Sequence, residues 1–205
     1  MKLILASSSE RRRELLSWLG VPFEVVVSEL DESQIQADDP GSLVSRLAVE
    51  KAKAVAKDLN DGLVIGADTI VYIGGEIIGK PKDEKDAVRI LRKLSGNTHW
   101  VYTGVAVVDA SSGKNSVDVE KTAVTFREIP EGEIQAYVDS GEPLDKAGGY
   151  AIQMGAAGFV EKVEGSYTNV VGLPLLTLAE LLEKQGYSVK KDVSKIVFKK
   201  TGYWS

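Results

Sequence analysis

Leu63-Val64-Ile65-Gly66-Ala67-Asp68-Thr69-Ile70-Val71-Tyr72-Ile73 is the longest strand-like run in the chain, and Gly74-Gly75 ends it. Residues 76–79 return as its partner, because a Gly-Gly pair between two extended segments suits the tight turn of a β-hairpin. Pro81 stops the return strand, having no N–H to give a ladder. Before this hairpin, residues 3–6 read as a short buried strand. Ser7-Ser8-Ser9 then turns into a helix over about 10–19, with Ser9 placed to cap it. Residues 23–28 are extended. Pro40 suits the first turn of a helix, and residues 43–59 carry helical spacing. After the hairpin come an amphipathic helix over 83–94, strands over 99–109 and 117–129, and a helix over 130–140. A strand over 159–163 and a helix over 174–184 follow. Strands alternate with helices, yet several neighbouring strands are hairpins. The expected fold is therefore α/β, with a mixed, largely antiparallel central sheet flanked by helices rather than a purely parallel one.

The chain has 205 residues, which suits one domain or two small lobes. Residues 1–185 read as a single domain. Residues 186–205 read as an extension carrying Lys190, Lys191, Lys195, Lys199 and Lys200, solvated or lying along a sheet edge. There is no cysteine, so disulfides, thiol nucleophiles and thiolate metal sites are excluded. The apolar run at residues 3–6 is too short for a signal peptide, and no apolar stretch is long enough to span a membrane. A cytoplasmic protein without a membrane partner is expected. Net charge is −5, from 25 basic and 30 acidic residues. Proteins that track nucleic-acid backbones usually carry a basic surplus, so no nucleic-acid partner is expected. A small anion remains possible as a ligand, provided positive charge gathers locally.

Four features run against purely structural expectation. Arg11, Arg12 and Arg13 crowd a helix N-terminus, where the helix dipole disfavours each cation by about 0.3–1 kcal/mol. A bound anion reverses that sign, so strand, serine turn, helix start and arginines form a candidate phosphate cradle. Arg13 reads as a solvated residue, and the same bland reading stays open for its two neighbours. Asp68 stands in an apolar strand, where a carboxylate is costly unless it is paired or holds a metal. A salt bridge and a functional role both satisfy that demand. Lys51 lies in a row with Leu47 and Val55, toward the apolar stripe of its helix. It either snorkels to solvent or meets an anion. Asp31 and Glu32 lie in a polar loop where hard cations such as Mg²⁺ could find oxygen donors.

Other chemistry is excluded. Gly74 to Pro81 nearly spells a P-loop, but proline stands where a hydroxyl is needed and the context is a hairpin. Lys80 could still touch a phosphate. The single histidine, His99, cannot form a two-histidine zinc motif and has no nucleophile elbow nearby. No Gly-rich dinucleotide fingerprint follows a strand. Clustered carboxylates with scattered cations suit metal-assisted attack of water on a phosphoryl group.

Residues 5–12 (LASSSERR), Arg46-Leu47-Ala48 with Glu50-Lys51-Ala52, Gly66-Ala67-Asp68-Thr69 and Gly79-Lys80-Pro81 resemble the motifs of the Maf family. So do Leu94-Ser95-Gly96, Tyr102-Thr103-Gly104-Val105, residues 142–148 (EPLDKAG) and Val171-Gly172-Leu173-Pro174. The match runs in order over residues 2–185. The resemblance implies a nucleotide pyrophosphatase with a fold similar to the inosine-triphosphate pyrophosphatases and an active-site cleft between two lobes. It also implies a divalent cation, Mg²⁺ or Mn²⁺, a nucleoside triphosphate substrate and a homodimer. Carried over, the general base falls on Asp68, the metal residues on Glu32 and Asp68, and the substrate residues on Ser7, Arg12, Lys51 and Lys80. Specificity positions fall on Arg11, Thr69 and Gln153 and resemble the dTTP/UTP branch. A 7-methyl-GTP or other non-standard nucleotide pyrophosphatase, and a non-catalytic nucleotide-binding regulator of cell division, remain as alternatives. The departure from the usual pattern is Glu10, where proline is common; no change in chemistry is expected from it.

Overall fold

A computed structural model describes residues 1–204. Its strands are β1 (Leu3–Leu5), β2 (Glu24–Val25), β3 (Leu63–Ile73), β4 (Glu76–Ile78), β5 (Thr98–Asp109), β6 (Asn115–Phe126) and β7 (Val160–Glu164). Its helices are α1 (Glu10–Trp18), α2 (Pro40–Ala56), α3 (Glu84–Leu94), α4 (Glu131–Asp139), α5 (Tyr167–Val171), α6 (Leu175–Lys184) and α7 (Val193–Thr201). The strands form one sheet in the order β2-β1-β3-β5-β6-β7, with β4 pairing with β3. β1 runs parallel to β2 and β3, whereas β3 with β4 and β6 with β7 are antiparallel. The mixed sheet expected from the hairpins is therefore present. Gly74 and Gly75 have φ of 57° and 84°. That is the left-handed pair a two-residue hairpin requires, and it sets Ile73 opposite Glu76. The P-loop reading of this segment fails on the same geometry.

The chain divides into two compact units. The first comprises residues 1–68, 103–120 and 166 onward; the second comprises 69–102 and 121–165. β3, β5 and β6 contribute residues to both. In the first unit the parallel pair β1 and β3 is wholly apolar and buried, from Leu3 to Leu5 and from Leu63 to Ile65. Ile4, Ala6, Val64 and Val108 pack with Ala52, Val55 and Ala56 of α2 in one cluster. Each isoleucine or valine among them contributes on the order of 1.5–3 kcal/mol through burial. Small residues on α2 let it lie unusually close to the sheet. A Cβ added at Gly66 would stand 2.2 Å from the Ala48 carbonyl oxygen, and one at Gly104 would stand 2.2 Å from that of Val44. No other residue type fits either position without moving the helix.

The lysines at the end of the chain are exposed to solvent, and three of them, Lys195, Lys199 and Lys200, lie on a helix rather than an edge strand. Asp192 caps α7 by accepting from the Lys195 N–H at 3.1 Å. Val193 and Val197, one turn apart, are buried. Its lysines are exposed, as is Phe198, which stacks on Trp204. In the second unit α3 buries Ala87, Ile90, Leu91 and Leu94, and α4 buries Ile134, Tyr137 and Val138. His99 is fully buried there, its Nε2 sharing a 2.7 Å hydrogen bond with the Tyr150 hydroxyl. Its ring stands edge-on to Phe126. Burial lowers its pKa to about 3, so the ring is neutral and structural.

Candidate active site

β1 delivers the chain into the serine turn, and α1 starts there. Ser9 has extended backbone angles and its side chain accepts from the Arg12 N–H, as a helix N-cap does. The Ser7 hydroxyl, 8% exposed, accepts from the Ser9 N–H at 3.2 Å and lies 3.5 Å from Arg12 Nη1. Arg12 Nε donates to the Gly172 carbonyl at 2.8 Å. The guanidinium is thus anchored on the residue that ends α5. Burial lowers the Arg12 pKa and Arg11 adds to that, while Asp68 and Glu32 oppose it. An arginine remains charged at any such value. The same interactions place Arg11, Arg12, Glu32 and Asp68 in one electrostatic neighbourhood. Arg13 points elsewhere, pairing with Glu10 on the exposed side of α1.

Asp68 is 9% exposed, the most buried Asp or Glu among the described residues. Lys51, reaching in from α2, donates to its Oδ1 at 2.6 Å. The same ammonium lies 3.0 Å from Glu32 Oε1. The close seat of α2 on Gly66 makes this reach possible, since Gly66 and Asp68 share a face of β3 and Lys51 lies between Ala48 and Ala52. Glu32 opens a short 3-10 turn, Glu32–Gln34. Asp31 caps that turn through Ser33, and these hydrogen bonds lower its pKa. The neighbouring acids therefore divide their work: Asp31 holds the turn and Glu32 turns toward Lys51. The salt-bridge reading of Asp68 and the anion reading of Lys51 describe the same contact.

Of the residues singled out by sequence, Ser7, Arg11, Arg12, Glu32, Lys51 and Asp68 lie together in the first unit. Thr69, Lys80 and Gln153 belong to the second. Lys80 and Gln153 are exposed, and Thr69 is half-buried. Sequence reasoning missed Gly172 as the anchor of Arg12; its position after α5 and before Pro174 was the available signal.

A hard divalent cation fits this donor set. No group of three or more His, Cys, Asp or Glu residues able to hold a metal occurs among the described residues. Two carboxylates sharing one cation do occur, and the Lys51 ammonium marks where positive charge is attracted. One or two carboxylates, with phosphate oxygens completing the shell, is the usual protein contribution to Mg²⁺.

Fold and side chains together define an α/β protein in which cations and carboxylates converge beside a helix N-terminus, a composition suited to a polyphosphate. The family model described as "Maf-like protein" matches residues 2–185. The chain is 52% identical over 188 residues to the dTTP/UTP pyrophosphatase of Pelotomaculum thermopropionicum, covering 92% of this chain and 98% of that protein. It is 53% identical over 188 residues to the dTTP/UTP pyrophosphatase of Moorella thermoacetica, covering 92% and 97%. A Ham1 protein from Coxiella burnetii superposes with a TM-score of 0.46 at 14% identity, over 77% of this chain and 90% of that one. This chain belongs to the Maf family.

Proposed function

We propose that this chain is a nucleoside triphosphate pyrophosphatase that converts dTTP and UTP to the nucleoside monophosphate and pyrophosphate. The observation that carries the reading is the Lys51 ammonium held by both Asp68 and Glu32, beside an Arg12 fixed by Gly172 and Ser7. In a chain whose net charge is −5, Arg12 and Lys51 meeting in one neighbourhood is the local gathering of positive charge that a polyanion needs.

The proposed roles follow from these positions. Glu32 and Asp68 hold Mg²⁺ or Mn²⁺, which when bound neutralises phosphate charge and polarises the phosphoryl group. Arg12 and Ser7 orient phosphate oxygens at the start of α1, with Lys51 and Lys80 as further phosphate contacts. Asp68 orients a water and accepts its proton as the oxygen attacks the α-phosphorus. The bond from that phosphorus to the β-bridging oxygen breaks, and pyrophosphate leaves with the electron pair. Cationic side chains offset the charge that grows on it. Arg11, Thr69 and Gln153 select the base. The Gln153 amide carries a donor and an acceptor, which complement O4 and N3–H of uracil or thymine. The enzyme is read as a cytoplasmic homodimer with no nucleic-acid or membrane partner.

The test is product-resolved hydrolysis of dTTP, UTP, CTP, ITP and 7-methyl-GTP. Pyrophosphate release from dTTP and UTP is expected, with Asp68→Asn lowering kcat by about 10²–10⁴-fold while the fold melts normally. Near-normal turnover by Asp68→Asn removes Asp68 as the base. Orthophosphate as the product removes the reaction itself.

A further inference from the structure

Gln153 sits in a tight turn whose supports are unusually specific. The Met154 N–H donates to the Ala151 carbonyl at 3.1 Å, which makes Ile152 and Gln153 the central residues of the turn. Ile152 is buried and Gln153 is exposed. On one side of the turn the Ala151 N–H donates to the Tyr137 hydroxyl at 3.2 Å. On the other side the Gly155 N–H donates to both Glu142 oxygens, each at 3.2 Å. These two supports are one unit, because the Tyr137 hydroxyl donates to Glu142 Oε1 at 2.7 Å. Tyr137 is itself fixed, its ring buried in α4 and edge-on to Phe159 at 5.3 Å. The fit at the far side is steric as well. A Cβ on Gly155 would lie 2.9 Å from a Tyr137 ring carbon and 3.0 Å from Glu142 Oε2.

We propose that Tyr137 and Glu142 are positioning residues for base selection, clamping the turn on both sides of Gln153 so that its side chain reaches the base from one fixed point. The inference rests on the reading of Gln153 as a base-selecting residue. Its physical basis is that an exposed amide discriminates only as well as its backbone is held. A glutamine on a loose turn meets the base at varying distance and angle, so the two hydrogen bonds that tell one base from another are not made together. The clamp removes backbone freedom and leaves only the side-chain torsions. Tyr137 and Glu142 touch no reacting atom in this scheme, so their loss acts on the choice of base and on KM more than on kcat.

The experiment compares kcat/KM for UTP and CTP, which present opposite hydrogen-bonding patterns at positions 3 and 4 of the base. It uses the full chain and the variants Gln153→Ala, Tyr137→Phe, Glu142→Ala and Glu142→Gln. Tyr137→Phe keeps the ring and removes the hydroxyl; it and Glu142→Ala are expected to lower the UTP:CTP ratio about 5- to 10-fold. Glu142→Gln keeps an acceptor oxygen and is expected to retain most of the preference. Amide exchange at Ala151 and Gly155 should accelerate in Tyr137→Phe and Glu142→Ala by a similar factor, a readout independent of activity and of partial unfolding elsewhere. If Gln153→Ala abolishes the preference while Tyr137→Phe and Glu142→Ala keep it, the clamp is overturned and the role of Gln153 stands. If Gln153→Ala leaves the preference intact, the role of Gln153 falls and the clamp falls with it.

Discussion

Gly66→Ala isolates the contact on which the proposed site geometry depends. The new Cβ would lie 2.2 Å from the Ala48 carbonyl oxygen, 2.9 Å from the Ala52 nitrogen and 3.0 Å from the Ala52 Cβ. A carbon–oxygen contact closes no nearer than about 3.3 Å, so α2 must retreat by about 1 Å. The obstacle is helix backbone, which cannot rotate aside as a side chain can. Overpacking of this kind costs about 1–3 kcal/mol, and a backbone clash belongs at the upper end. For a chain of this size that lowers Tm by about 6–12 °C. The second consequence is functional. Lys51 travels with α2, and its 2.6 Å contact with Asp68 lengthens with the helix. A displacement of about 1 Å at a catalytic group can lower turnover by about 10²-fold. Thermal unfolding and pyrophosphate release at saturating UTP measure the two effects on one preparation. Gly132→Ala is the control: at this exposed position of α4 the new Cβ meets nothing within 4 Å, so helix propensity alone should raise stability by about 0.5–1 kcal/mol. Wild-type stability and turnover in Gly66→Ala would refute the claim that this close approach sets the Lys51–Asp68 geometry.

Lys51→Met removes the cation that now shares Glu32 and Asp68, so Mn²⁺ affinity measured by electron paramagnetic resonance without nucleotide should tighten about tenfold. Adding Glu32→Gln should reverse the gain; an unchanged Mn²⁺ affinity in both variants argues against a metal at these carboxylates. His99 gives a pH prediction. Burial lowers its pKa from 6.5 to about 3, so below pH 6.5 the unfolded chain binds a proton that the folded chain refuses. Its contribution to folding is therefore intact above 6.5. It is lost at about 1.4 kcal/mol per pH unit as pH falls from 6.5 toward 3. Urea unfolding of His99→Gln should show a shallower loss between pH 6 and 4 than wild type, and identical slopes would contradict the neutral buried ring.

The elements of the fold were legible because their signals are local. Gly74-Gly75 makes a hairpin turn whatever surrounds it. Ser9 caps α1, and the apolar stripe of α3 survives as read. Short elements and distant partners are harder to read. α5 is only five residues long, too short to show a periodic apolar stripe, although Ser166 caps it by accepting from the Asn169 N–H at 3.2 Å. The closing helix α7 carried usable local signals, an Asp192 cap and valines four apart, with Gly202 at φ 77° as its stop. Attention to the lysines obscured them, because charge says where a surface is and nothing about the backbone beneath it. The turn at residues 151–154 is held by Tyr137 and Glu142, more than ten residues upstream, and no spacing rule reaches that far.

The site shows the same division at the level of charge. Sequence marked Arg12, Lys51 and Asp68 as three separate anomalies, each unfavourable alone: cations at a helix start, a lysine on a buried stripe, a carboxylate in an apolar strand. Their resolution is mutual. Lys51 answers Asp68 and Glu32, Asp68 and Glu32 answer Arg12, and Gly172 holds Arg12 from 160 residues away. Burying three ionisable groups beside a helix start costs stability that apolar residues of the same size would not, and the grip on an anionic phosphate chain is a reason to keep them there.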